Sequence, residues 1–196
     1  MFDDDRWYPR MADIPGVDFG GSPGVDRRKL RGADVRATKG SYGLDWPERN
    51  GQWQSPAAGH LPDDWTSRTT DKLARGVWET LELPGTLGDW HFTLQEAVNE
   101  LWRRRHTEPA ALRLCEQFAL VDLALAKARP QAFAINPDKP EEGYVAVRAF
   151  DLLTRMYRAM DDLPRAVQVA RHAEQWRNQV LGKAADEMQA LLDAGL

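Results

Sequence analysis

Six cationic side chains lie close together near the start of the chain, and their chemistry suits phosphate binding. They are Arg27, Arg28, Lys29, Arg31, Arg36 and Lys39. Together with Asp26 and Asp34, six cations and two carboxylates give residues 26–39 a net charge of +4, and the nearby rings of Tyr42 and Trp46 could stack on bases. The same composition is equally common in solvated loops that bind nothing. Because the whole chain has a net charge of -4, nucleic acid is an alternative partner only.

Residue patterns for metal binding and catalysis are missing from the sequence. The four histidines, His60, His91, His106 and His172, are not spaced three to five residues apart as metal-binding pairs are. Cys115 is the only cysteine and lies in an apolar helical pattern, so we interpret it as a core residue. The glycine-rich residues 20–24 are not followed by Gly-Lys-Ser/Thr, and no serine stands in G-x-S-x-G. We assign no catalytic residue, metal ligand or cofactor, and enzymatic activity stays open because catalytic groups can be scattered along a chain.

Composition predicts a soluble globular protein. Hydrophobic residues make up 42% and charged residues 29% of the chain, which is ordinary for such proteins. No run of eighteen apolar residues exists, and the N-terminus is acidic where a signal peptide begins with basic residues. We therefore expect a cytoplasmic protein that does not enter a membrane, and the excess of arginine over lysine is typical of a bacterial genome rich in G and C.

The two parts of the chain differ in amino-acid composition. Residues 1–90 hold 12 of the 15 glycines, which prevents long helices or strands and predicts a mostly irregular arm. One helix is expected in this arm near residues 70–81, where apolar residues recur at helical spacing before Pro84 and Gly85. Residues 91–196 are predicted to form a helical domain.

Tryptophan is concentrated in the arm, which is unusual for an irregular segment. The residues are Trp7, Trp46, Trp53, Trp65, Trp78 and Trp90. A buried aromatic ring removes about 150–250 Å² from water, enough to anchor an irregular strap to a preformed surface. That surface is either the helical domain itself or another subunit, and local disorder is the third possibility. If the surface belongs to a partner, Trp46, Trp53 and Trp65 are candidate contact residues.

Apolar periodicity predicts five helices after the arm, hence an all-α antiparallel bundle. The first begins at the capping-box pattern Thr93–x–x–Glu96, and the second runs from Pro109 to about Lys127. The third spans residues 141–160, the fourth begins near Arg165, and Gly182 is expected to bend or break the chain before a short fifth helix.

Residues 150–177 resemble a tetratricopeptide repeat, a helical hairpin of about 34 residues that buries a fixed set of large and small side chains. The matching positions are Phe150, Leu153, Tyr157, Ala166 and Ala173. The sequence departs from the family at Asp161, where a glycine is usual, and at Ala170, where an aromatic residue is usual. Residues 93–118 are similar at fewer positions, so the bundle could be a short repeat array.

The resemblance implies a peptide groove lined by the first helix of each hairpin. Its cationic positions would be Arg103, Arg104, Arg148, Arg155 and Arg158. Guanidinium groups meet carboxylates through paired hydrogen bonds, so an acidic peptide is the implied partner. The alternative is that these arginines form a solvated helix face, with pairs such as Asp151 and Arg155 at i,i+4.

From the sequence we expect a non-catalytic helical adaptor or assembly subunit that binds a protein, with self-association also possible. The first alternative is an enzyme or enzyme accessory subunit with a helical core. The second is a nucleic-acid-associated protein that uses residues 27–39.

Overall fold

The computed structural model describes residues 8–35, 55–136, 138–139, 142–176 and 179–195. These residues contain seven α-helices and no strands, so the all-α prediction is confirmed. The helices are α1 (Pro56–His60), α2 (Thr70–Leu81), α3 (Leu87–Arg104), α4 (Pro109–Ala128), α5 (Arg148–Ala159), α6 (Leu163–Gln175) and α7 (Gln179–Asp193). No helix in this part of the chain is long and apolar enough to span a membrane.

Helix α2 occupies the residues that periodicity predicted, whereas α3 begins earlier than expected. The predicted start at Thr93 is wrong because the capping box forms at Thr86 and Asp89. The Asp89 amide donates to Thr86 Oγ1 over 3.2 Å, and the Thr86 amide donates to Asp89 Oδ2 over 2.7 Å. Because α3 starts at Leu87, the predicted division of the chain at residue 90 falls inside this helix.

Helix α5 begins at Arg148, so the predicted helical start at Glu141 is also wrong. The preceding residues are extended: Gly143 has a φ of 124°, and the Val145 amide donates to the Phe133 carbonyl oxygen over 2.8 Å. Val145 is therefore packed partly against the core by a non-helical chain segment in place of a helix turn. Periodicity could not separate the two arrangements over so few residues.

Helix α7 runs through Gly182 without a break, which corrects the prediction of a helix end there. The glycine has a packing reason. A Cβ atom at residue 182 would lie 3.2 Å from the Glu174 side chain of α6, so a small residue lets the two helices approach closely.

The described part of the arm packs on its own helices. The amides of Tyr8 and Gly85 each donate to the other residue's carbonyl oxygen, and the Ala57 amide donates to the Pro84 carbonyl oxygen over 3.0 Å. Farther along, Ser22 Oγ donates to the Trp78 carbonyl oxygen at 2.8 Å. These bonds satisfy backbone groups that an irregular chain would otherwise bury unpaired.

Tryptophans of the arm enter the same core as the helical domain. Trp90 is fully buried and Trp65 is 8% exposed, while Trp78 packs against the core with its ring centroid 4.6 Å from that of Phe118. For these residues the surface that anchors the arm is the chain's own bundle. Trp7, Trp46 and Trp53 lie outside the described residues.

A buried polar pair joins α3 to α4. His91 Nδ1 lies 2.7 Å from Asp122 Oδ1, and the two side chains are 0% and 1% exposed. Burial raises the pKa of Asp122, and the hydrogen bond with His91 opposes that rise. Such a pair fixes the relative register of two helices, since each partner would be costly to bury alone.

Helix α5 packs against both α4 and α6 and holds them parallel to each other. At one end, Glu116 Oε1 near the start of α4 accepts from Tyr157 Oη over 2.9 Å and from Arg165 Nη1 over 3.2 Å. At the other end, Trp176 after α6 contacts the Phe133 ring beyond α4 at a centroid distance of 5.6 Å. The outer sides of α4 and α6 therefore border a common groove.

The close approach at Gly85 gives a stability prediction. A Cβ atom at residue 85 would lie 2.6 Å from Ala57 Cβ, so we expect Gly85→Ala to reduce the free energy of unfolding by about 1–3 kcal/mol. Gly20→Ala is the matched control because nothing lies within 4 Å of its Cβ position. Urea denaturation would check both, and equal stability of the two variants would contradict the packing at Gly85.

The buried pair gives a second prediction. Asp122→Ala removes the hydrogen-bond partner of His91 Nδ1 in the core, and removing one partner of a buried polar pair costs about 1–3 kcal/mol of unfolding free energy. Replacing both residues by leucine removes both polar groups, so the double variant is expected to be more stable than Asp122→Ala. If denaturation showed Asp122→Ala to be as stable as the wild-type protein, the result would contradict a stabilising role for the His91–Asp122 pair.

Candidate functional site

A concave groove lies between α4 and α6. Its volume is about 760 Å³, within the size range of ligand-binding clefts. The lining residues are Leu120, Leu123, Ala124, Lys127, Pro130, Tyr144, Tyr157, Arg165, Gln168, Val169, His172, Gln175 and Trp176. Leu120 is 45% exposed, so a large apolar side chain stands open to solvent at this surface.

Each wall of the groove is one face of a helix. On α4 the lining positions are 120, 123, 124 and 127, and on α6 they are 165, 168, 169, 172 and 175. Spacings of three and four residues place side chains in one row along a helix. At a rise of 1.5 Å per residue, the α4 row is roughly 10 Å long and the α6 row roughly 15 Å.

Aromatic rings form one end of the groove and support one another. The Trp176 ring lies 4.7 Å from Tyr144, 5.6 Å from Phe133 and 6.0 Å from Phe150, measured between centroids. Edge-to-face and tilted contacts at such distances are favourable. These contacts hold Trp176 in place before any ligand arrives.

The charge of the groove is opposite to that of the whole chain. Its lining includes the cations Lys127 and Arg165 and the histidine His172, but no aspartate or glutamate, whereas the chain carries a net charge of -4. Arg165 is partly neutralised by Asp162 and Glu116. Lys127 is exposed and has no ion-pair partner among the described residues, so it is the cation most available to a ligand.

Two titratable side chains in the groove have altered acidity. Burial, together with the neighbouring Glu116 carboxylate, raises the pKa of Tyr157 to about 12. Burial and the nearby Lys127 ammonium group lower the pKa of His172. At neutral pH Tyr157 is therefore a protonated hydrogen-bond donor and His172 a neutral ring.

The arginines that the repeat resemblance singled out lie on α3 and α5, away from the groove lining. Arg103 pairs with Glu100, and Arg155 Nε lies 3.1 Å from Asp151 Oδ1. Arg148 and Arg158 are exposed. As a partner surface these residues stay a prediction, since their pairs also fit a solvated helix face.

Arg104 differs from the other four arginines because its side chain is only 13% exposed. Its guanidinium donates to the carbonyl oxygens of Thr66 and Arg68 and to Thr70 Oγ1, and Nε donates to Glu100 Oε1 over 2.7 Å. These bonds connect the end of α3 to the segment around Trp65. Arg104 therefore stabilises the attachment of the arm.

The basic segment is partly described. Arg28 Nε lies 3.1 Å and Lys29 Nζ 3.7 Å from the Asp26 carboxylate, while Arg27 Nη2 donates to the Ala33 carbonyl oxygen. Residues 36–54, which include Tyr42 and Trp46, lie outside the described part of the chain. Nucleic-acid binding by this segment stays a prediction.

Outside the groove, the described residues offer few reactive or metal-binding side chains. Cys115 is fully buried, and its burial raises the thiol pKa to about 12, as expected for a core residue. No group of three or more His, Cys, Asp or Glu side chains there is arranged to hold a metal ion.

Sequence reasoning missed the residues that line the groove, although one signal was present. Leu120 and Leu123 widen the apolar stripe of α4 beyond what a single core-facing side needs. An apolar stripe of this width indicates that a second face of α4 is covered by another element, yet Leu120 on that face is exposed.

No family model, curated protein or solved structure matches this chain. A function must therefore be argued from the chemistry of the chain's own residues, and the likeness to tetratricopeptide repeats stays a prediction.

The proximity of Lys127 to His172 can be tested by titration. Lys127→Met removes the positive charge that disfavours the imidazolium form, so we expect the pKa of His172 to rise toward its ordinary value. Burial remains, so the pKa should stay below that value. An NMR titration of the imidazole carbon signals would measure the shift, with Lys183→Met on α7 as control. An unchanged His172 pKa in Lys127→Met would contradict the geometry of this end of the groove.

Proposed function

We propose that this chain is a non-catalytic helical module that binds a protein partner in the groove between α4 and α6. The observation that carries the proposal is the exposed side chain of Leu120 in a groove that also holds the partly buried rings of Tyr144 and Trp176. Exposed apolar side chains that stand in a concave, partly aromatic surface are often binding sites.

The composition of the lining favours a macromolecular partner over a small substrate. Two helical faces lie side by side, with Leu120 as the exposed apolar contact and the largely buried Leu123 and Val169 beneath it. Aromatic side chains such as Trp176 and Tyr144 are enriched among residues that dominate binding energy at protein interfaces.

The groove offers less support for the enzyme alternative. His172 makes no hydrogen bond to a serine, threonine or cysteine side chain among the described residues, so it lacks the nucleophile that covalent catalysis uses. Tyr157 already donates to Glu116. The other histidine–carboxylate pair, His91 with Asp122, is closed to solvent, where no substrate could reach it without rearrangement of the core.

Site-specific cross-linking in the native cells would test the proposal. With a photoreactive phenylalanine analogue in place of Leu120, we expect a discrete covalent adduct to one protein after irradiation. The matched control is the same analogue at Leu191 on α7, which is 43% exposed against 45% for Leu120 but does not line the groove. Adducts that are absent at position 120, or equal at the two positions, would contradict binding in the groove.

A charged variant provides an independent measurement on the same partner. Leu120→Glu places a carboxylate on the apolar surface, and we expect at least about a tenfold loss of affinity because a charge at an interface core is costly to desolvate. Leu191→Glu should bind as the wild-type chain does. Circular dichroism would verify that both variants fold, which is expected since both leucines are exposed.

A further inference from the structure

We infer that the partner segment is an acidic amphipathic helix of about three turns, whose first turn carries carboxylates that meet Lys127 and His172. This inference rests on the proposed function and specifies the chemistry of the partner. It follows from three properties of the groove: the backbone of its walls, their charge and their direction.

The walls favour a helical occupant because they offer few backbone partners. Apart from the carbonyls of the last turns, the backbone groups of α4 and α6 are bonded within their own helices. An extended peptide would need hydrogen-bond partners for its own backbone, as it finds at the edge of a sheet. Here only side chains such as Gln168 and Gln175 could supply them. A helix satisfies its backbone internally, so it can lie on this surface at little cost.

The dimensions fit a short helix. The α6 row extends roughly 15 Å, which equals about three helical turns. Leu120, Leu123 and Val169 lie along the groove with the Trp176 ring at one end. An occupant with apolar residues at i, i+3, i+4 and i+7 would place them on these contacts.

The charge of the lining selects an acidic partner. Because the lining contains the cations Lys127 and Arg165 and no carboxylate, a basic helix would meet repulsion where the cation is unpaired. Lys127 at one end of the groove has no ion-pair partner among the residues described, while Arg165 at the other end is already paired with Glu116 and Asp162. The carboxylates of the partner are therefore most favourable next to Lys127.

The direction of the walls sets the direction of the occupant. Lys127 and His172 stand in the last turns of α4 and α6, where both helix dipoles are negative. An antiparallel occupant would place its positive N-terminal end there. Carboxylates in the first turn of a helix are also favourable for that helix itself. The dipoles therefore favour an antiparallel occupant, and the Lys127 ammonium group offsets the repulsion between the first-turn carboxylates of that occupant and the negative ends of α4 and α6.

Selection from a peptide library on the full-length chain would test this inference. The probe is a display library of random 14-residue peptides. Peptides that bind the wild-type chain are kept, and those that also bind the Leu120→Glu variant are discarded. We expect the surviving peptides to be acidic in their first four residues and apolar at i, i+3, i+4 and i+7. Circular dichroism of synthetic copies should show helix on addition of the chain.

Charge reversal of the lysine makes the test specific. Lys127→Glu is expected to weaken binding of the selected peptides about fivefold to tenfold at low salt, because an attraction between exposed charges becomes a repulsion. The control Lys183→Glu changes an exposed lysine on α7, outside the groove, and should leave the affinity unchanged. Equal losses in the two variants would overturn the assignment of the carboxylates to Lys127.

Different results would contradict the acidic helix as the partner and the groove as the binding site. Groove-dependent peptides that are neutral, basic or rich in proline would overturn the acidic helix but leave binding in the groove intact. No groove-dependent peptide, combined with no cross-link at position 120, would overturn the proposed function as well.

Discussion

The structure depends on α5 packing against α4 and α6 at once. Tyr157 at the end of α5 reaches Glu116 on α4, and Phe150 at its beginning contacts His172 on α6 with ring centroids 5.3 Å apart. Because α5 runs antiparallel to both neighbours, α4 and α6 are parallel and stay apart on the side away from α5. The groove is the direct consequence, since two helices held by a third leave a channel where a fourth could pack.

The described residues before α2 cover one side of the bundle. They attach near α2 and α3 through Tyr8, Trp65 and the bonds that the Arg104 guanidinium donates. The described residues of the arm thus cover apolar surface there that the helices alone would expose. On the other side, Leu120 remains accessible. An irregular chain rich in glycine can follow such a surface closely, because its backbone is free to adopt turns that a helix cannot.

Local signals in the sequence were sufficient for some elements and insufficient for others. Helix α2 was placed correctly because an uninterrupted apolar period ends at a proline–glycine turn. The start of α3 was misplaced because two threonines offer a capping pattern, and only the burial of Leu87 and Trp90 decides for Thr86. The groove depends on which helices become neighbours in space. The repeat resemblance predicted a groove lined by arginines on α3 and α5, because the first helix of each repeat lines the groove in that family. The groove observed in the structure lies between α4 and α6. Residue spacing in the sequence does not determine which helices become neighbours.

If the groove binds a helix as proposed, affinity and selectivity would have separate physical sources. Trp176 is held by Tyr144, Phe133 and Phe150, so the aromatic surface is preorganised and little conformational entropy is lost when a partner covers it. Burial of that surface would supply most of the binding free energy, but apolar contacts discriminate poorly among apolar helices. Lys127 contributes little energy as an exposed charge, yet it distinguishes an acidic end from a basic one, because the wrong sign meets repulsion and an unpaired charge. If the proposed function holds, a groove with a preorganised aromatic end and the unpaired cation Lys127 would bind one class of helix and reject others of similar hydrophobicity.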